Sequence, residues 1–344
     1  MNFASDNTAG ISPEILAALA AANDGAVGSY GADPITARLE AKLADLFEHE
    51  VAVFPVATGT AANALALAAV TPPWGAVLCH PQAHIACDEA NAPEFYTGGA
   101  KLVPVAGADG KLAAADLAGL LPGDLGNVHH AQPAAISLTQ ATECGTVYRP
   151  AEIAEIATLA HRHGLAVHMD GARFANALVH LDASPAELTW RAGVDVLSFG
   201  ATKNGALGAE AIVFFDPARA RELPFRRKRA GHLFSKMRFL SAQLDAYVTD
   251  GLWLRNARHA NAAAARLAEG LTALPGVRLR HPVEANELFV ELPEAMIAGL
   301  FEAGAQFHRW EGAASTCVRL VTAWNTADAD VAVFLATASR LASA

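Results

Sequence analysis

The sequence predicts an α/β fold in which a mainly parallel sheet carries helices on both faces and a smaller C-terminal domain follows. Three observations support this expectation. The middle of the chain alternates amphipathic stretches with short apolar runs rich in β-branched residues, the pattern of strand–helix–strand units. Two of those runs lead into isolated charged residues, Asp170 and Lys203, and ligands of open α/β sheets gather beyond the carboxyl ends of the strands. A long helical pattern over residues 251–274 then opens a second group of short strand patterns.

The elements follow in order. Thr58-Gly59-Thr60-Ala61-Ala62-Asn63 is a turn of hydroxyl residues and glycine that runs directly into an alanine-leucine helix. Pro150 opens an amphipathic stretch to His163, and Gly164 supplies its stop. Residues 165–169 read as a buried strand ending at Asp170, residues 185–192 as a short helix with Gly193 behind it, and residues 194–199 and 211–215 as two further strands. The C-terminal part should contain strands near residues 277–279, 288–292 and 318–322. The expected division is an N-terminal arm and large domain over residues 1–250 and a small α+β domain over 251–344.

Composition narrows the function classes. Twenty-five Lys and Arg against 35 Asp and Glu give a net charge of -10, which repels phosphate backbones and argues against a nucleic-acid partner. The one basic run, Arg226-Arg227-Lys228-Arg229, reads as a solvated face. Cys79, Cys87, Cys144 and Cys317 form no CxxC pair, and neither His129-His130 nor His161/His163 has partners at metal-ligand spacing, so no metal site is expected. The apolar stretch 61–70 is too short to span a bilayer, and the first residues lack the basic start and apolar core of a signal peptide. A soluble cytoplasmic protein is the expectation.

Three segments carry chemistry. The turn at Thr58, Gly59 and Thr60 presents the unpaired N–H groups and positive dipole end of a helix start, which favour an anion such as phosphate. An ordinary helix cap would look the same, but neither a P-loop lysine nor a GxGxxG dinucleotide pattern is present. In His168-Met169-Asp170-Gly171-Ala172-Arg173 a carboxylate at a strand end stands three residues before a cation. One reading is an Asp–Arg ion pair capping the next helix. The other places Asp170 on the ring N–H of pyridoxal phosphate (PLP), with Arg173 facing the ring oxygen. In Ser198-Phe199-Gly200-Ala201-Thr202-Lys203-Asn204-Gly205 a lone lysine follows a buried strand among small residues. It is either a loop lysine or an amine able to form a Schiff base with an aldehyde cofactor.

In combination these pieces stand in the order found in fold-type-I PLP enzymes. Further stretches are Ser5-Asp6-Asn7, Tyr30-Gly31-Ala32-Asp33, His84, residues 188–197, residues 235–240, residues 282–286 and Val318-Arg319-Leu320-Val321. Across nearly its whole length the chain resembles the threonine aldolase family, particularly its branch of bacterial low-specificity L-threonine and phenylserine aldolases. The resemblance implies an aminotransferase-like fold of type I, with a mainly parallel seven-stranded sheet in the large domain. It also implies PLP on Lys203 and an active site shared between subunits of a homodimer or homotetramer.

By the same resemblance His84 stacks on the exposed face of the cofactor ring, and Arg319 and Ser5 grip the substrate carboxylate. Tyr30 comes from across the dimer interface. Lys236, with Arg238 as the competing choice, lies near substrate or phosphate, and Glu89 sits near the reaction centre. One departure is that relatives follow the Asp-Glu pair with Cys-Gly, whereas Asp88-Glu89 here precedes Ala90-Asn91. The implied reaction is retro-aldol cleavage of L-threonine and related β-hydroxy-α-amino acids to glycine and an aldehyde. His84 is the favoured base, with Glu89 or a water as its rivals. Phenylserine cleavage, or the chemistry of another fold-type-I enzyme such as a β-eliminating lyase or aminotransferase, is the alternative.

Overall fold

The structure, a computed structural model, describes residues 1–310 and 312–343. Seven apolar segments pair into one sheet: β1 (Ala52–Val56), β2 (Gly75–Cys79), β3 (Lys101–Pro104), β4 (Gln132–Thr139), β5 (Ala166–Gly171), β6 (Val196–Gly200) and β7 (Glu210–Phe214). Their order is β1-β7-β6-β5-β4-β2-β3. The pairs from β3 through β2, β4 and β5 to β6 are parallel, whereas β7 runs antiparallel to both its neighbours. β2, β5, β6 and β7 are buried at every position, which explains why they read as continuous apolar runs without alternation.

Register positions the site. Thr139 pairs with Asp170, and Asp170 with Ser198, so the carboxyl ends of β4, β5 and β6 lie level. The helix Gly59–Val70 is buried from Ala61 to Ala68, on all sides, and its alanines allow this close approach to β1, β6 and β7. The helix Pro150–Arg162 has Pro150 in its first turn and the Glu152 side chain accepting from the Arg149 N–H at 2.6 Å, and Gly164 follows at φ 73°. The short helix expected over residues 185–192 does not form. Thr189 adopts φ -126°, ψ -108°, which breaks any helix there and leaves one 3-10 turn, Trp190–Ala192.

A second, antiparallel sheet contains β8 (Arg278–Leu279), β9 (Glu287–Glu291), β10 (His308–Arg309) and β11 (Cys317–Val321), in the order β10-β11-β9-β8. The helix Leu252–Thr272 joins the two cores. Leu252, Trp253 and Ala257 pack with the large sheet, while Ala263, Ala264, Leu267 and Leu271 pack with the small one. In the N-terminal arm Phe3, fully buried, packs edge-on against Phe334 at 5.2 Å, and its carbonyl accepts from the Val321 N–H at 2.8 Å. Burying that ring draws the arm onto the small sheet. Among the described residues no helix is long and apolar enough to cross a membrane.

Candidate active site

A cavity of about 260 Å³ opens at the carboxyl ends of β4, β5 and β6. Its wall includes Thr58, Gly59, Thr60, His84, Glu89, Asp170, Arg173 and Lys203, so eight of the twelve sequence-designated residues meet there. Ser5, Tyr30, Lys236 and Arg319 do not reach this wall in the single chain.

One end of the cavity is the start of the helix Gly59–Val70. Thr58 caps it, its Oγ1 accepting from the Ala61 N–H at 3.1 Å. The first N–H groups of a helix have no acceptor within it, and they point here at open space; a Cβ built on Gly59 would meet nothing within 4 Å.

Lys203 stands on the 3-10 turn Thr202–Asn204, directly after β6. Gly200 must be glycine, because a Cβ there would lie 2.7 Å from Ala172 Cα. Behind the turn Asn204 donates to the Tyr247 hydroxyl at 2.8 Å and to the Trp253 carbonyl at 2.9 Å, over the packed rings of Phe199, Tyr247 and Trp253. The backbone of Lys203 is therefore held by a rigid aromatic floor while its amine lines the cavity. The Ala201 N–H donates to Glu210 Oε2 at 2.9 Å, and burial pushes this carboxyl up to about 7.

Asp170 is buried, and both oxygens are engaged. Oδ1 accepts from the Ala172 N–H at 2.9 Å and Oδ2 from Asn63 Nδ2 at 2.7 Å. The same Asn63 amide donates to Glu89 Oε1 at 2.9 Å, and that oxygen also takes His84 Nδ1–H at 2.9 Å. One chain of contacts thus joins Asp170, Asn63, Glu89 and His84. The Glu89 hydrogen bond raises the His84 pKa against the opposing effect of burial, with Asp170 adding to the rise. Below Asp170, His168 is buried between Ser137 at 2.9 Å and Ser198 at 3.0 Å, and burial brings it down to about 4.

Arg173 lines the cavity and is paired with carboxylates distant in sequence. Its Nε and Nη2 bond Asp6 Oδ2 and Oδ1 at 2.7 and 3.0 Å, and Nη2 lies 3.1 Å from Glu287. The ion-pair reading of the Asp170 segment assigned the wrong carboxylate, because the arm and β9 supply the partners. Arg319 lies on β11 over the Trp310 ring. It donates weakly to the Ala4 carbonyl at 3.4 Å, and its buried Nε has no partner. Ser5 Oγ accepts from the Asn7 N–H at 3.1 Å, and Asn7 lines the cavity. Tyr30 and Lys236 border a separate surface pocket with Lys228, whose ammonium sits 4.9 Å over the Tyr30 ring. Arg238 is committed to the carbonyls of Asp24 and Gly25 at 3.3 and 3.0 Å, away from the cavity.

Sequence reasoning assigned no role to Asn63, Asp6, Glu143 or Glu210. Asn63 carried a signal, as the one amide on an otherwise apolar helix. Asp6 and Glu143 carried none, since each meets its partners only through the fold.

Residues 2–295 match the beta-eliminating lyase family. The chain is 46% identical to the low specificity L-threonine aldolase of Pseudomonas aeruginosa, over 94% of this chain and 93% of that one. It is 44% identical to the enzyme of the same name from a Pseudomonas species, over 96% and 94% of the two chains. The solved structure of a Leishmania major threonine aldolase superposes with a TM-score of 0.93 at 30% identity, covering 99% of each chain. With its mainly parallel sheet and a cavity lined by Asp170 and Lys203, the chain belongs to the beta-eliminating lyase family, among its threonine aldolases.

Proposed function

We propose that this protein cleaves L-threonine and related β-hydroxy-α-amino acids to glycine and an aldehyde, using pyridoxal phosphate. The observation that carries the reading is the convergence of Lys203, Asp170 and the Thr58–Thr60 helix start on one cavity wall, with the Glu89–His84 pair beside them. The cavity fits the cofactor. The N–H groups at Gly59 and Thr60 suit its phosphate, Asp170 suits its ring nitrogen, and Lys203 is the amine that would hold its aldehyde carbon. When bound, the cofactor supplies an electron sink for the carbon whose bond breaks.

The remaining work falls to side chains. Asn63 and the Ala172 N–H fix the Asp170 carboxylate, so it can hold a proton on the ring nitrogen without moving. Glu89 holds His84 by Nδ1 and leaves Nε2 for the substrate hydroxyl. Imidazole titrates near neutral pH, and a neighbouring carboxylate makes it a stronger base. Arg319, with its unpaired Nε, and Ser5 at the arm would receive the substrate carboxylate. Fixing that group would set which bond to Cα is held for cleavage, and orientation of this kind can lower a barrier by about 7 kcal/mol or more.

Tyr30, Lys236 and Lys228 face outward together, and we assign them to the cavity of a second subunit, in a homodimer or homotetramer. Incubation with L-threonine tests the reaction. Glycine and acetaldehyde in equal amounts support it, whereas 2-oxobutanoate would mean dehydration, and 3-hydroxy-2-oxobutanoate formed only with an added α-keto acid acceptor would mean transamination.

A further inference from the structure

Among the described residues four carboxyl groups line the cavity, and three have evident duties. Asp170 uses both oxygens, Glu89 holds His84 and Asn63, and Glu210 clasps the Lys203 loop. Glu143 is the fourth. Its Oε1 accepts twice, from the His84 main-chain N–H at 2.8 Å and from the Thr139 hydroxyl at 2.8 Å. Its Oε2, like Glu89 Oε2, is shielded and has no partner. Glu143, unlike Glu89, bonds neither the His84 ring nor Asn63, and it stands on the cavity wall beside the His84 main chain. A buried polar oxygen left in this state calls for a partner that the protein itself does not provide.

We propose that Glu143 is a further catalytic residue, its Oε2 hydrogen-bonded to the β-oxygen of the bound amino acid while His84 takes the proton from that oxygen. The inference rests on the aldol-cleavage reading and deepens it. Burial pushes the Glu143 carboxyl up to about 7, against the hydrogen bonds from His84 and Thr139 and with the help of the Asp170 charge. The other titratable or charged groups felt there are Arg173, Cys79, Cys87, Cys144 and Tyr148. Because Oε1 already accepts two hydrogen bonds, the proton of the neutral acid belongs on Oε2, where it is a donor without an acceptor. The β-oxygen supplies one.

The step balances. The hydroxyl proton passes to His84 Nε2, and the O–H electron pair becomes the second bond of the aldehyde carbonyl. The Cα–Cβ pair stays with Cα, and Glu143 keeps its own proton throughout. Its donor steadies the charge on oxygen as the first proton leaves.

The test compares wild-type holoenzyme with Glu143→Leu and Glu143→Gln by two readouts. One is kcat/KM for L-threonine cleavage; the other is the dissociation constant of glycine, which lacks a β-oxygen, from the absorbance change on binding. Glu143→Leu should lower kcat/KM about 100-fold, mainly through kcat, as loss of one such donor does elsewhere. Glycine affinity should stay at the wild-type value. Glu143→Gln, whose amide still donates, should recover most of the loss; should the leucine variant fail to fold, Glu143→Ala replaces it. Wild-type cleavage by the leucine variant, or loss of glycine binding in step with cleavage, would overturn the proposal. A wild-type enzyme that binds glycine yet cleaves no β-hydroxy amino acid would instead remove the aldol reading, and this inference with it.

Discussion

Asp6 and Arg173, 167 residues apart in sequence, close a two-point ion pair at 2.7 and 3.0 Å that binds the N-terminal arm to the cavity wall. Both side chains are buried or nearly so, and Asn286 adds a third hydrogen bond to Asp6 at 3.1 Å. Burial pushes the Asp6 carboxyl upward, but Arg173 and, farther off, Lys203 outweigh it and hold the group below its usual value of 3.8. Removing Arg173 leaves Asp6 charged in a dry site without a cation, a loss of about 3 kcal/mol or more. Removing Asp6 leaves Arg173 its Glu287 contact and costs less.

Asp6→Ala should therefore lower the melting temperature and loosen the arm near Ser5 and Asn7. The pH dependence follows from the sign. A carboxylate with a depressed folded pKa stabilises the fold above its unfolded value and loses that contribution as pH falls through the folded one. The stability gap between wild type and Asp6→Ala should be full near neutral pH and close below about pH 4. Parallel thermal melts across pH 3–7 check it, and a gap independent of pH would show that the charge pair is not its source.

Glu89→Gln should shift the acid limb of kcat/KM. The Glu89 carboxylate raises the His84 pKa, and a base must be neutral to work, so activity falls as pH drops through that raised value. Without the carboxylate charge the fall should begin at lower pH, with a lower plateau because the imidazole is a weaker base. A pH–rate profile for L-threonine cleavage decides the point, since an unmoved limb would separate His84 from the titration.

Asn63→Ala removes hydrogen bonds of 2.7 and 2.9 Å to two buried carboxylates at once. Glu89 Oε1 keeps its His84 contact, so only Asp170 Oδ2 is left unpaired. At roughly 1–3 kcal/mol for one such partner, kcat/KM should fall about 10- to 100-fold even though no reacting group is changed. Asp170→Ala should cost more, several kcal/mol in the barrier, because the ring-nitrogen contact goes with it. Steady-state kinetics on the pair should place Asn63→Ala between wild type and Asp170→Ala.

Subunit sharing has its own test. Tyr30→Ala and Lys203→Ala chains should each be inactive or nearly so, because each lacks one half of every site. Mixed oligomers of the two should regain activity at the sites that unite both intact residues. Failure of mixed oligomers to exceed either parent would confine the site to one chain.

The fold was legible where sequence reports local chemistry. Pro150 and Gly164 bounded their helix, and the all-buried β5 and β6 read as continuous apolar runs ending near Asp170 and Lys203. Residues 185–192 misled because their composition permits a helix while the backbone at Thr189 does not. The candidate site was legible in its local motifs and opaque in its cross-chain contacts. Nothing near Arg173 announces Asp6 or Glu287, and nothing near Glu143 announces the His84 main chain. Such partners are brought together only by topology, from the arm, the small sheet and the turn after β4.

The central claim is that Lys203 holds the cofactor, and covalent trapping tests it most directly. The purified yellow protein is reduced with borohydride, digested, and its peptides weighed. The expected result is the mass of reduced pyridoxal phosphate on the peptide containing Lys203, with neither trapping nor L-threonine turnover in Lys203→Ala. Trapping on a different lysine, or undiminished aldehyde release by that variant, would contradict it.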